Sequence, residues 1–420
     1  MKVAYLVSRF PKLSETFIVD EILALERLGV EVALYSLART REPVAHPEAR
    51  ALVHRCRIAS PLAPSLWLAQ LAWLARAPRA LLGIWSRVLL EHWRSPRLLA
   101  RSIAALLFAS LHALHMQRSG IAHVHAHWAT HPALAAWVVH RLTGLPYSFT
   151  AHADDLFVQQ SMLREKARRA AFVVAISEYN RRFLVDRLGA AAPQIEVVHC
   201  GVATAALRPR PDTEGASFRI ACVARLEEKK GQARLVDACA ALARRGVDFY
   251  CDLVGEGRDR MALSIQIAAL GLSDRVVLHG PQPRARVLEI ISAADAVVLP
   301  GIVTATGRRD GIPVALMEAM ALARAVVASP VSGVPELVEH ERSGLLVDPE
   351  DVESLADALA RLAGDAALRA RLGAAGRRRI EADFELDRSA ARLSELFRSE
   401  PPRARPMPGV DCLAVSEVSG

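Results

Sequence analysis

Short apolar runs alternate with stretches of helical spacing along almost the whole chain, and this alternation limits the fold more than any other feature. Residues 2–7 are one such run, followed by a loop in which Pro11 bars an early helix. Phe17, Ile18, Ile22, Leu25 and Leu28 then fall at helical spacing, Gly29 stops the helix, and residues 30–37 make a second run. Strand, helix, strand with continuously apolar strands is a parallel unit buried on both faces, so the expected class is α/β with a doubly wound parallel sheet. The alternation resumes at His123, with short strands at 172–175 and 195–199. A second series follows at 220–223, 249–254, 276–279, 296–299, 325–328 and 344–347.

A chain of 420 residues is longer than one hydrophobic core usually serves, which predicts two domains. The break falls near residues 207–215, where Pro209, Pro211 and Gly215 interrupt a stretch without apolar periodicity. This gives a first domain over 1–206 and a second over 207–383, with a tail over 398–420 expected to be disordered. With 52% hydrophobic and 23% charged residues the rest has the balance of a globular protein. The six cysteines are scattered without a C-x-x-C pair, which indicates neither a zinc site nor a disulfide framework and suits a reducing cytosol. The first apolar run is too short for a signal peptide and reads as a strand, so a cytoplasmic protein is expected. A net charge of +8 attracts phosphates, nucleic acids or anionic lipid without choosing among them.

Residues 60–118 differ from the rest of the first domain. They read as helices broken near Pro78 and Pro96, and Arg76, Arg79, Arg87, Arg94, Arg97, Arg101 and Arg118 stand there against a single acid, Glu91. The charges argue against a membrane-spanning helix. Trp67, Trp73, Trp85 and Trp93 among these arginines suit either an interfacial surface or ordinary helices covering a sheet, on different faces.

Five segments carry chemistry. In DGIPVALME, residues 310–318, a loop enters a helix at about Val314 after the strand 296–299. Gly311 permits close approach of backbone, Pro313 suits a first helical turn, and the free N–H groups there make an anion site. Asp310 and Glu318 can face one crevice and accept hydrogen bonds from sugar or ribose hydroxyls; an acidic N-cap with a solvated glutamate fits the same pattern. Arg225 and Lys230 leave the strand 220–223 just before a helix, placed for a leaving diphosphate or simply as a basic turn. His152 ends a strand in SFTAHADD and can bond a sugar hydroxyl or a phosphate, or serve as a loop histidine; Asp154 and Asp155 read as local structure. His123, His125 and His127 share a strand face, but no acidic or cysteine neighbour is evident in sequence, so no metal site is expected. The G-x-G at Gly255 and Gly257 lacks its third glycine, leaving at most a turn near phosphates, with Glu256 solvated or capping.

On VSRFPKLSETFI, HAHWATHPA, SFTAHADDL and DGIPVALMEAMA the chain resembles the retaining glycosyltransferases of family 4, in particular those of colanic acid and exopolysaccharide synthesis. The resemblance runs from about Lys2 to Phe397. It implies a GT-B fold, two facing Rossmann-like domains with the site between them, and a helix over 384–397 crossing back to the first. It maps an E-x7-E element onto Asp310 and Glu318, near the donor sugar and the ribose. It maps the diphosphate-binding cations onto Arg225 and Lys230, the motif histidine onto His152, and the loop meeting sugar and diphosphate onto Gly311, Ile312, Pro313 and Val314. Transfer would be from a nucleotide-diphosphate sugar, a co-substrate, with no cofactor and no metal. The acceptor would be a lipid-linked saccharide or oligosaccharide at the inner face of the plasma membrane, beside anionic lipid. A nucleotide-sugar epimerase on the same fold is the alternative. Nucleic-acid binding ranks last, because the cations are spread out with no stripe or motif.

Overall fold

The computed structural model describes residues 1–12, 15–40, 47–189, 194–209 and 217–399. Most of the expected break at 207–215 and of the tail lies outside them. The first half runs β1 (Lys2–Val7), α1 (Thr16–Arg27), β2 (Glu31–Ser36), α2 (Pro47–Arg55), α3 (Pro64–Arg76), α4 (Pro78–His92), α5 (Pro96–Arg118), β3 (His123–His127), α6 (His131–Thr143), β4 (Tyr147–Ala151), α7 (Asp154–Phe157), α8 (Leu163–Arg169), β5 (Phe172–Ala175), α9 (Glu178–Leu188) and β6 (Gln194–Val197). The second runs β7 (Phe218–Val223), α10 (Gln232–Arg244), β8 (Phe249–Val254), α11 (Arg260–Ala269), β9 (Val276–Gly280), α12 (Arg284–Ala293), β10 (Ala296–Leu299), α13 (Val314–Ala321), β11 (Ala325–Ala328), α14 (Val334–Leu337), β12 (Leu345–Leu346), α15 (Val352–Gly364), α16 (Ala366–Asp383) and α17 (Leu386–Arg398).

These strands make two six-stranded sheets, ordered β2-β1-β3-β4-β5-β6 and β12-β11-β10-β7-β8-β9, with parallel pairing throughout. Helices cover both faces of each, which is why β3, β4, β5, β10 and β11 are buried along their whole length. The strand order reverses between β1 and β3 in one sheet and between β7 and β10 in the other. In open parallel sheets ligands bind beyond the carboxyl ends of the strands at such reversals. Both reversals are bordered by motif segments: 127–130 after β3 in the first sheet, and 224–231 after β7 with 300–313 after β10 in the second.

After α16 the chain returns to the first sheet. Leu386, Ala390, Leu393, Leu396 and Phe397 of α17 pack with Val3, Tyr5, Ile18 and Ile22 in one core. Arg27 of α1 pairs with Asp387 at 2.6 Å.

Prolines open α3, α4 and α5, where a missing N–H costs nothing. The four tryptophans divide by face. Trp73 is buried and donates to the Ser110 carbonyl at 2.8 Å, and Trp85 is half-buried with Gln70 at 3.1 Å. Trp67 and Trp93 stand 61% and 63% exposed. Among the described residues α5 is the one helix long and apolar enough to cross a membrane, and it packs against α3, α4 and α6.

Candidate active site

Beyond β7 the chain turns through Arg225 to Gly231 and enters α10; beyond β10 it loops through 300–313 and enters α13. The two loops are tied by Ile302 N–H donating to the Lys229 carbonyl at 3.0 Å. Between them lies a knot of charge. Lys230 pairs with Asp310, and Lys229, only 4% exposed, lies 3.3 Å from the same carboxylate. Burial pushes the Asp310 carboxyl up, but Lys230 and Lys229 outweigh it and hold it below the usual aspartate value. Arg225 pairs with Glu227 at 2.8 Å, and Arg308 bonds Glu227 at 3.1 Å.

The first half reaches into this knot. Asp154, at the start of α7, lies 3.1 Å from Lys229 and 3.2 Å from Arg308. The expectation that Asp154 and Asp155 are both local structure therefore holds only for Asp155, whose buried carboxylate accepts from the N–H groups of Ala129, His152 and Ala153. Asp154 joins the two halves. Its partners stand 75 and 154 residues away, beyond the reach of spacing rules.

Glu318 enters a different group. It is 6% exposed, which excludes the solvated-helix alternative, and it lies 3.3 Å from Arg284 at the start of α12. Arg284 also bonds Asp20 of α1 at 2.8 Å, so this group also spans the halves. Burial drives the Glu318 carboxyl up to about 7; Arg284 pulls against that rise and Asp20 adds to it. Asp310 and Glu318 thus sit in separate ion-pair groups. Nor is Asp310 an N-cap, since Pro313 holds that position and no side chain caps α13.

His152 follows β4 and is 4% exposed, with its ring centroid 4.2 Å from Trp128 and 5.3 Å from Phe17. Burial, and then His127, hold its imidazole well below the usual value, so it is neutral. Asn180 donates to its carbonyl. Gly311 comes up against this region: a Cβ there would lie 2.7 Å from Ile176 Cδ1 and 3.5 Å from the His152 carbonyl oxygen. Ile312 and Pro313 are buried and Val314 half-buried beside them. The structure therefore brings His152, Asp310, Lys230 and Gly311 to one seam, with Arg225 on its open side.

One further expectation changes. His123, His125 and His127 do share a buried face, but an acid is present: Glu21 of α1 lies 3.1 Å from His127 Nε2, and Glu21, His125 and His127 cluster closely enough to hold an ion. Helix packing supplied this neighbour, not sequence proximity. Both ring nitrogens of His125 are occupied otherwise, by Ser148 at 2.8 Å and Thr150 at 2.9 Å, and His123 Nε2 bonds Ser148 at 2.7 Å. The G-x-G turn, expected to be at most a turn near phosphates, packs against the neighbouring loop. A Cβ at Gly257 would lie 2.1 Å from the Leu226 carbonyl oxygen, so the turn presses on the backbone that carries Arg225. Glu256 is exposed there, as expected.

A model of the glycosyl transferases group 1 matches residues 205–379, and a model of glycosyltransferase family 4 matches residues 86–206. The chain is 30% identical over 385 residues to WcaL of Escherichia coli K12, a glycosyltransferase assigned to colanic acid biosynthesis, covering 86% of this chain and 90% of that one. It is 36% identical over 211 residues to the amylovoran biosynthesis glycosyltransferase AmsK of Erwinia amylovora, covering 50% and 52%. The structure of HepE from Anabaena in complex with UDP superposes with a TM-score of 0.70 at 19% identity, covering 95% of this chain and 100% of that one.

Proposed function

The chain belongs to the group 1 and family 4 glycosyltransferases of GT-B fold, and from that premise we propose that it moves a sugar from a nucleotide-diphosphate donor to an acceptor hydroxyl with retention at the anomeric carbon, in exopolysaccharide synthesis. The observation carrying this reading is the knot at the second sheet's reversal, where Lys229, Lys230 and Arg308 crowd around Asp310, Asp154 and Glu227, next to the Gly311 turn that meets the His152 backbone. UDP in the HepE complex and the names of WcaL and AmsK support the donor class and the pathway.

In this reading Arg225 and Lys230, with the N-terminus of α13 at Gly311 to Val314, hold the diphosphate and stabilise the charge that grows on it as the glycosidic bond breaks. These cations supply that charge without a metal. Glu318 takes the ribose, exchanging Arg284 for its hydroxyls. Asp310 and His152 orient the sugar. The departing phosphate accepts the acceptor's proton, and closure of the seam excludes water. Incubation with a panel of nucleotide sugars and a lipid-linked saccharide should give a product with the donor's anomeric configuration, equally fast in EDTA. An inverted product would sink the retaining assignment. Altered donor sugar released without acceptor would instead favour the epimerase.

The acceptor is lipid-linked and presented at an anionic inner membrane face. The outer faces of α3 and α4 expose Trp67, Leu68 and Leu71, and Leu82 and Leu90, and Trp93 stands exposed just past the end of α4. Arg76, Arg79, Arg87, Arg94 and Arg97 are exposed among them, and Arg94 lies over the Trp93 ring at 4.9 Å. An apolar face with arginines around it suits the headgroup boundary. Each large side chain contributes roughly 1–2 kcal/mol on burial and each arginine about 1 kcal/mol near anionic lipid. The enzyme should float with phosphatidylglycerol vesicles and not with neutral ones. Replacing Trp67, Leu71 and Trp93 together by glutamate should cut binding by at least about a hundredfold and leave the melting temperature in place. Equal flotation of that variant would refute the surface.

A further inference from the structure

His127 stands between Glu21 and His152. Its Nε2 is 3.1 Å from Glu21 Oε1, and its Nδ1 is 3.3 Å from His152 Nε2. Glu21 Oε1 also accepts from the Tyr5 hydroxyl at 2.6 Å. Each component comes from a different element at the reversal of the first sheet: Tyr5 from β1, Glu21 from α1, His127 from the end of β3, and His152 from just beyond β4. The row lies beneath Phe17 and Trp128, with His127 1% exposed.

These contacts have a direction. The carboxylate oxygen accepts, so the His127 proton lies on Nε2. With that one proton on Nε2, the ring has a lone pair at Nδ1, which accepts from His152 Nε2–H. A neutral His152 is left with a lone pair at Nδ1. We propose that Glu21 and His127 are positioning residues that fix His152 as its Nε2–H tautomer, so that His152 meets the transferred sugar as a hydrogen-bond acceptor for one of its hydroxyls. This inference rests on the reading that His152 contacts the sugar. The depressed value of His152, from burial and then from the neighbouring histidine, agrees with a neutral ring.

The tautomer can be read without turnover. In the full chain labelled with [15N]histidine, long-range proton–nitrogen correlation should show His152, identified by its loss in His152→Gln, with the proton on Nε2. His127→Asn, which keeps an acceptor towards His152, should preserve that pattern. His127→Leu and Glu21→Leu should give mixed tautomers and lower kcat about tenfold, while the affinities for UDP, GDP and ADP stay at wild-type values. A proton on His152 Nδ1 in the unaltered enzyme would overturn the proposal, as would stoichiometric zinc that survives dialysis and is lost in His127→Leu. If His152→Gln turned over at the wild-type rate while the tautomer stood as described, the sugar contact would fail and the positioning would remain.

Discussion

Lys230→Ala is expected to lower kcat/KM for the nucleotide sugar by about a thousandfold. Removing one preorganised donor from a developing anion costs on the order of 3–4 kcal/mol. The structure adds a second loss, because Lys230 is one of two cations on the enclosed Asp310, and Lys229 alone would remain at 3.3 Å. Leaving an enclosed charge with no partner destabilises by roughly 3–5 kcal/mol, and with Lys229 still beside Asp310 the loss here should fall below that range. The two losses can be separated. In Lys230→Ala combined with Asp310→Asn the carboxylate that has lost one of its two cations is gone, so thermal stability should return while donor affinity does not. Recovery of both would mean that Lys230 neutralises Asp310 and does not bind phosphate. Arg225→Ala should have a smaller effect, because its side chain is 51% exposed and its partner Glu227 keeps Arg308. The donor-induced thermal shift gives the readout: a ligand at a hundred times Kd adds about 2.7 kcal/mol, which should disappear in Lys230→Ala. Undiminished donor affinity in both single variants would show that the diphosphate lies elsewhere.

The strands were legible because parallel strands buried on both faces must be continuously apolar, and residues 172–175, 296–299 and 325–328 are read at their observed bounds. Residues 249–254 are too, although exposed Tyr250 and half-buried Asp252 interrupt that run. The start of α13 was legible for a local reason, the proline before Val314. Contacts between elements were not. Nothing near Glu21 in sequence points to His127, 106 residues away, and nothing near Arg284 points to Asp20, 264 residues away. Lys229 and Lys230 are adjacent and chemically alike, yet one reaches across to Asp154 and the other stays with Asp310. Only the short helical turn at residues 228–230 decides which faces where. The same limit applies to Asp154, a carboxylate beside a capping Asp155, whose partners lie in the other half of the chain. Candidate residues were found where a motif lies at the end of a strand. Their pairing depends on how the halves meet, and no periodicity encodes that.

Gly231→Ala tests how those loops meet, and it should lower the melting temperature by on the order of 10 °C. Gly231 follows Lys230 as the N-cap of α10 with φ +71°, a conformation that costs an alanine roughly 1–2 kcal/mol. Steric contact costs more. A Cβ there would lie 1.8 Å from the Pro300 carbonyl oxygen, a backbone atom that cannot swing aside. The 224–231 and 300–313 loops would have to part, breaking the Ile302 to Lys229 bond that ties them. Strain and separation together come to about 3–5 kcal/mol, and each kcal/mol shifts a domain of this size by roughly 2–4 °C. Gly271→Ala is the control. Its φ is +67° and nothing lies within 4 Å of the added methyl, so it carries the conformational cost alone and should lose only a few degrees. Because the parted loops carry Lys229, Lys230 and Asp310, Gly231→Ala should also lose donor affinity at temperatures where it remains folded, whereas Gly271→Ala should keep it. If the two variants melted together, the close approach of the switch-point loops would not be what holds the lysines against Asp310.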